Sequence, residues 1–531
     1  MLPEKPVLHG NLRIPSLPML RRWVPSVLLF VTAVGCVVRL TRADDDPLPN
    51  GDVSGAPADC SQPPAEGRSA IASGPPRIAI TGRTVELAAL DAGPPVATDG
   101  GADGAAPATG QVDYLRRVPA GTTPPVAFQW SGVTFSARFK GADRVLAPMR
   151  VPIVYDRVFY DECNRTVEGG DRGQDGNDIP CNPDQLSKTA CCRALDDVPI
   201  MVEVDGKVFR RAGLSRPYVD KNDPSKGRRP TAEIDSFEIA TGLDPNVEHE
   251  IRLIRSIETD RGIFQFHGFT FTKGGQAVAD ALLPPRERPR LIEFIGDSIT
   301  AGYGIYGKNA SCRYSIYTQE HYDTFGAITG REFDADVIST SVSGIGAFRN
   351  NATGLNEDGT QKAADNNMLT LFERALGGPG NSDKADFEVK NGVPPTARLF
   401  DFSSARQPQV VVITLGTNDF FLGPPDPAQF YDHYKRLVER ARSLYPKAHI
   451  FCGLPPMISD TQSDLPRTIM RDYLKRLISD FGGKGDQRVY HMEFLDQGVR
   501  NGLGCDFHPN VTTHRIVAEQ LIGAIRSKTC W

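Results

Sequence analysis

The chain lacks any concentration of positive charge. Its 60 Lys and Arg stand against 65 Asp and Glu, a formal net charge of -5, and no basic stripe with interleaved aromatics occurs, so nothing points to nucleic acid. It also lacks a His-Glu-x-x-His or comparable ligand pair, so no metal or other cofactor is implied. No internal repeat is evident. Between Asp44 and about Pro76 large apolar residues are almost missing, and such a stretch cannot offset the entropy of ordering. It is expected to be a flexible stalk, with Cys60 as a tether. What remains is ample: 531 residues at 40% hydrophobic content suit two or three domains.

The one long apolar run lies near the N-terminus, where Arg21 and Arg22 precede Trp23–Val38, with a small residue at Ala43. This order is that of a secretory signal over residues 1–43, and an uncleaved signal anchor is the alternative. The pattern favours cleavage, which makes the chain secreted or extracellular. The anchor would leave it in the secretory-pathway lumen, the only case in which a membrane contact is expected. Asn164, Asn309, Asn351 and Asn510 each begin an Asn-x-Ser/Thr glycosylation triplet. Of ten cysteines, Cys163, Cys181, Cys191 and Cys192 crowd into a polar insertion near 160–193. In an oxidising compartment that is a stapled loop. Zinc is the weaker alternative, because no Cys-x-x-Cys pair or nearby His supports it.

From Arg77 to about Val278 the signals are those of strands: Arg77–Gly82, Val126–Trp130, Val133–Phe139, Ile200–Gly206, His249–Arg255 and Phe264–Phe271. Short strands separated by polar insertions predict a two-sheet sandwich such as a jelly roll over 77–278. Trp130 and the Phe264–Phe271 series are expected to face its core. A proline-rich joint follows. Over 288–531 strands and helices alternate, which predicts an α/β domain with a parallel sheet covered on both faces. The expected strands are Leu291–Ile295, Ala335–Ser339, Val410–Leu415, Ala448–Leu454 and Arg488–His491. The expected helices are Ile316–Arg331, Asn367–Ala375, Pro427–Leu444, Ser463–Phe481 and Thr512–Ser527.

Four blocks stand at or just after strand ends: Gly296-Asp297-Ser298, Ser343-Gly344-Ile345-Gly346, Gly416-Thr417-Asn418-Asp419 and Cys505-Asp506-Phe507-His508-Pro509. Open α/β sheets gather ligands at those ends. A serine nucleophile needs a base for its proton and donors for the oxyanion. His508 suits the base, because imidazole exchanges a proton near neutral pH. The N–H groups of Ser298 and Gly344 and the amide of Asn418 suit the oxyanion. Asp297 and Asp419 are expected to stabilise turns. Tyr303, Tyr306, Phe420 and Phe507 lie beside the blocks and are candidates for stacking on sugar rings, with core packing the alternative.

These blocks resemble the SGNH, or GDSL-type, hydrolases, and more narrowly carbohydrate esterase family two, which joins a jelly-roll domain to an SGNH hydrolase domain. The resemblance implies Ser298 as nucleophile, Gly344 and Asn418 as oxyanion donors, His508 as base, and deacetylation of a plant-type polysaccharide or its oligosaccharides. It is strong in the hydrolase part and general in the sandwich. One position departs from the wider superfamily: Cys505 stands where an Asp three residues before the His is usual. Asp506 lies two residues ahead, and in an extended segment such residues share a face. Its carboxylate is therefore expected to orient His508, with a main-chain carbonyl as the alternative. Two other functions are compatible with the fold, a carbohydrate O-acyltransferase and a glycan-binding protein with an inactive hydrolase part. Backbone sugar, acetyl position and oligomeric state are left open by the sequence.

Overall fold

A computed structural model describes residues 53–55, 70–71, 77–86, 118–119, 126–151, 197–215, 218–219, 227–228, 234–259, 262–314, 316–376, 399–403, 405–461, 464–498 and 501–531. The expected signal over 1–43, Cys60, and the Cys-rich insertion with Asn164 lie outside these residues. Residues Leu48–Trp531 form one compact unit.

The centre is a five-stranded, wholly parallel sheet in the order Ala335–Ser341, Arg290–Gly296, Val410–Thr414, His449–Leu454, Val489–Glu493. Its strands are buried on both faces, which is why they read as apolar runs rather than alternations. On one face Val411, Ile413 and Ile450 join Leu437, Val438 and Ala441 of helix Pro427–Leu444 and Leu474 and Leu477 of helix Pro466–Gly483. On the other, Ile292, Phe294, Val410, Val412 and Phe451 join Phe325 of helix Phe325–Glu332 and Val517, Leu521 and Ile525 of helix Val511–Thr529. The chain order across the sheet is 2-1-3-4-5, so it reverses where the first strand meets the third. That crevice, beyond the strands' carboxyl ends, is where such sheets hold ligands.

Before it come two antiparallel sheets, each of seven strands among the described residues. Phe135 stacks on Phe266 at 4.0 Å, Phe128 meets Phe135 at 4.9 Å, and Phe139 meets Phe271 at 4.8 Å. Their rings join the two sheets face to face as a sandwich. Trp130 is fully buried, and its indole N–H donates to Ala375 O at 2.9 Å. A deeper tie is ionic. Glu293, the one acidic residue inside the apolar first strand, pairs with the fully buried Arg83 at 2.5 Å. Removing one partner of such a pair strands a charge and typically costs about 3 to 5 kcal/mol.

Some expected elements differ. The helix expected over Ile316–Arg331 runs only over Phe325–Glu332, capped by Thr324. Residues ahead of it turn to the sandwich: the Tyr322 hydroxyl donates to Glu203 at 2.9 Å, and Arg211 pairs with Glu320 at 3.0 Å. The helix expected over Asn367–Ala375 is confined to Met368–Leu371. The Phe264–Phe271 stretch splits at Gly268 into strands Phe264–Phe266 and Thr270–Lys273. The joint is not free chain, because Leu282–Leu283 pairs with the sandwich strand Thr134–Phe139 and Arg286–Glu287 pairs with Ala70–Ile71. Nor is all of 44–76 a loose stalk. Ser54 N donates to His491 O and Ser54 Oγ accepts from His491 N, both at 2.8 Å. The edge strand Val489–Glu493 has backbone groups to pair, and this segment takes them.

Candidate active site

Ser298 follows directly from the first parallel strand. Asp297 ends that strand in extended conformation and caps the short helix Ser298–Ala301, accepting from Ile299 N at 3.0 Å. The cap leaves Ser298 at the helix N-terminus, beyond the sheet's carboxyl edge. Asp297 is fully buried, and burial pushes its carboxyl up to about 7.

Ser298 Oγ and His508 Nε2 are 2.8 Å apart. His508 Nδ1 lies 3.0 Å from the main-chain carbonyl of Asp506. A carbonyl can only accept, so Nδ1 carries the proton and Nε2 offers its lone pair to the serine hydroxyl. Burial, the largest influence, holds the His508 imidazole below its ordinary range, against the opposing pull of Asp506. The ring is therefore neutral at neutral pH, as a base must be.

Orientation of His508 by the Asp506 carboxylate is overturned. That carboxylate points away and accepts from the Tyr303 hydroxyl and Tyr314 N, both at 2.9 Å. The segment is not extended: Asp506 and Phe507 have φ of 50° and 62°, so the shared-face geometry of a strand does not apply. Two successive left-handed residues other than glycine are strained and need outside support. Asp506 N donates to Cys312 O at 2.8 Å, Cys505 N to Gly304 O at 3.0 Å, and Gly504 N to His508 O at 2.7 Å. A Cys312–Cys505 disulfide spans 193 residues to pin the same turn. Its seat needs Gly307, where a Cβ would run into the backbone nitrogen of Cys505.

The remaining blocks converge on the same place. Asn418 Nδ2 donates to Ile345 O at 2.8 Å and makes a longer contact, 3.4 Å, to Asp297 Oδ2. Its amide thus touches the neighbours of both Gly344 and Ser298. Gly344 has φ 78°, and a Cβ there would press on Asn351 Oδ1 at 3.0 Å. Asp419 acts as a turn-holder: its carboxylate accepts from Ala347 N, Phe348 N and Arg349 N at 2.8 to 3.0 Å. Buried with these partners, it is pushed up to about 6 chiefly by desolvation.

The aromatic candidates divide. Phe420 is buried against Phe430 at 5.6 Å and cannot stack on a ligand. Tyr306 is occupied by Asp323, to which its hydroxyl donates at 2.7 Å, and by the Arg211 guanidinium over its ring. Tyr303 packs on Tyr314 at 4.2 Å and on the His508 ring at 4.4 Å. Phe507 is 63% exposed, and Phe421, which sequence reasoning passed over, is 67% exposed. Among the glycosylation triplets, Asn309 and Asn351 are on the surface. Asn510 is partly buried and its side-chain oxygen caps helix Val511–Thr529, accepting from Thr512 N and Thr513 N. Sequence reasoning also missed Tyr314, Cys312 and Glu258, whose partners are far away in the chain.

Residues 294–516 match the GDSL-like lipase/acylhydrolase family. The chain is 33% identical over 300 residues to the cellulase/esterase CelE of Acetivibrio thermocellus, covering 56% of this chain and 32% of that one, about a third of its length. It is 27% identical over 339 residues to an acetylxylan esterase/glucomannan deacetylase of Cellvibrio japonicus, covering 61% of this chain and 79% of that one. A solved family two carbohydrate esterase from Clostridium thermocellum, in complex with cellohexaose, is similar over 76% of this chain and 94% of its own, with TM-score 0.54 and 25% identity. Residues 294–516 accordingly carry a GDSL-like lipase/acylhydrolase domain, in a chain whose curated relatives are named as esterases and whose structural neighbours include a family two carbohydrate esterase.

Proposed function

We propose that this chain is a serine esterase that removes O-acetyl groups from a polysaccharide or its oligosaccharides, of the xylan or mannan kind, through an acyl-enzyme. The observation that carries the reading is the 2.8 Å contact between Ser298 Oγ and a His508 whose other nitrogen is held by a carbonyl. Ser298 Oγ attacks the acetyl carbonyl as its proton passes to His508 Nε2. The oxyanion is received by the N–H groups of Ser298 and Gly344 and by Asn418 Nδ2, whose long contact to Asp297 is the one a substrate oxygen displaces. Collapse expels the sugar oxygen, which takes the proton from His508. Water then adds to the acetyl-serine as its proton passes to His508, and collapse breaks the bond to Ser298 Oγ, which takes that proton back as acetate leaves. Removing one oxyanion donor typically costs about 2.7 to 4 kcal/mol in the transition state.

Residues 77–278 are read as the sandwich domain and 288–531 as the hydrolase domain of an extracellular protein, with Asn309 and Asn351 as its surface glycosylation candidates. No helix among the described residues is long and apolar enough to cross a membrane. Acetate release from acetylated xylan, acetylated mannan and p-nitrophenyl acetate, wild type against Ser298→Ala, is the test. Release by the wild type alone supports the proposal, and equal background from both proteins overturns it.

A further inference from the structure

Gly344 follows the parallel strand Ala335–Ser341 in a loop held at two points. Downstream, Asp419 gathers the N–H groups of residues 347–349. Upstream, the holder comes from outside the parallel-sheet region. Glu258 lies between the sandwich strands His249–Arg255 and Phe264–Phe266, is 4% exposed, and accepts from Ser343 N and Ser343 Oγ, both at 2.6 Å. Ser343 is the residue whose carbonyl forms the peptide bond to Gly344. Anchoring its nitrogen and side chain leaves that peptide plane little freedom to rotate.

Glu258 is itself immobilised. The buried Arg255 donates to Ile257 O at 3.0 Å and to Glu258 O at 2.9 Å, and Gln129 donates to Thr259 O at 3.0 Å. A third donor to the Glu258 carboxylate, Gln319 Nε2 at 3.4 Å, also reaches Ala301 O at the end of the Ser298 helix. One sandwich carboxylate therefore touches the Gly344 loop directly and the Ser298 helix through one side chain.

We propose that Glu258 is a positioning residue for the oxyanion site, so that the sandwich supplies part of the catalytic geometry. The inference rests on the esterase reading above. Preorganised donors stabilise the transition state more than bound substrate, so loosening the loop lowers kcat with little change in KM. Glu258→Ala, which removes both acceptors, is expected to lower kcat on p-nitrophenyl acetate about 10- to 100-fold. KM should stay within about twofold. Glu258→Gln keeps an acceptor for Ser343 N and should recover most of the loss. Ser343→Ala deletes one of the two bonds and should have an intermediate effect. Combining it with Glu258→Ala should add nothing, because both changes break one interaction.

The full chain should be used, with the melting midpoint recorded for each variant. An active wild type with Glu258→Ala equally active, or with losses at Glu258 and Ser343 that add, overturns the inference and leaves the esterase reading standing. An inactive wild type overturns both. Should Glu258→Ala fail to fold, Ser343→Ala decides: unchanged kcat overturns the inference, and a fall in kcat at constant KM supports it.

Discussion

Ser298 and His508 share one hydrogen bond, but the chain secures them by opposite means. Ser298 stands between a buried strand, paired on both sides within the parallel sheet, and the helix turn that Asp297 caps. His508 sits on an irregular turn with two left-handed residues, tied by main-chain bonds, a tyrosine and a disulfide to residues 303–314. The nucleophile is positioned by regular secondary structure. The base is positioned by long-range contacts that offset local strain, and its side should be the more easily disturbed.

The largest effect would come from removing the pair's function altogether. His508→Ala should lower kcat about 10⁴-fold or more, as loss of one member of such a unit does, with the melting midpoint little changed. A next step disturbs only the support. Cys312→Ser should cost about 2 to 5 kcal/mol of stability in urea unfolding and lower kcat about tenfold while KM stays nearly constant, because His508 loses its aim. Stability loss without any change in kcat at a temperature where the variant is folded would show that the disulfide does not position the base.

Asp506 sharpens the comparison further. If its carboxylate works by anchoring the turn, Asp506→Asn, which still accepts from Tyr303 and Tyr314, should keep kcat within about threefold. Asp506→Ala should lose about tenfold, or 1.4 kcal/mol. Equal, large losses in both would indicate a role for the charge on the imidazolium. The smallest effect is in the pH profile. Burial keeps His508 below its ordinary value of about 6.5, and only the neutral ring can accept the serine proton. The ratio kcat/KM should therefore be flat near neutrality and fall as pH drops through a midpoint below 6.5. A midpoint above that value would mean that a carboxylate reaches the ring after all.

Where a regular side-chain pattern marks an element, the sequence was a good guide. The five parallel strands are legible because each carries enough apolar residues to be buried on two faces, and the expected helix Pro427–Leu444 has the observed limits. The Ile316–Arg331 expectation failed because Glu320 and Tyr322 have partners in the sandwich, more than a hundred residues earlier. Phe420 and Phe421 are adjacent and alike in composition, yet one is buried and the other exposed.

By itself the sequence determined the sheet, the four blocks at its carboxyl edge and the kinds of group that can move a proton and hold an oxyanion, since these follow from periodicity and side-chain chemistry. Only the tertiary structure decided that a carbonyl, not a carboxylate, orients His508, that Cys312 pairs with Cys505, and that Glu258 grips the loop of Gly344. Each of those depends on where two distant stretches of backbone come to rest, and no local pattern of residues encodes such a distance.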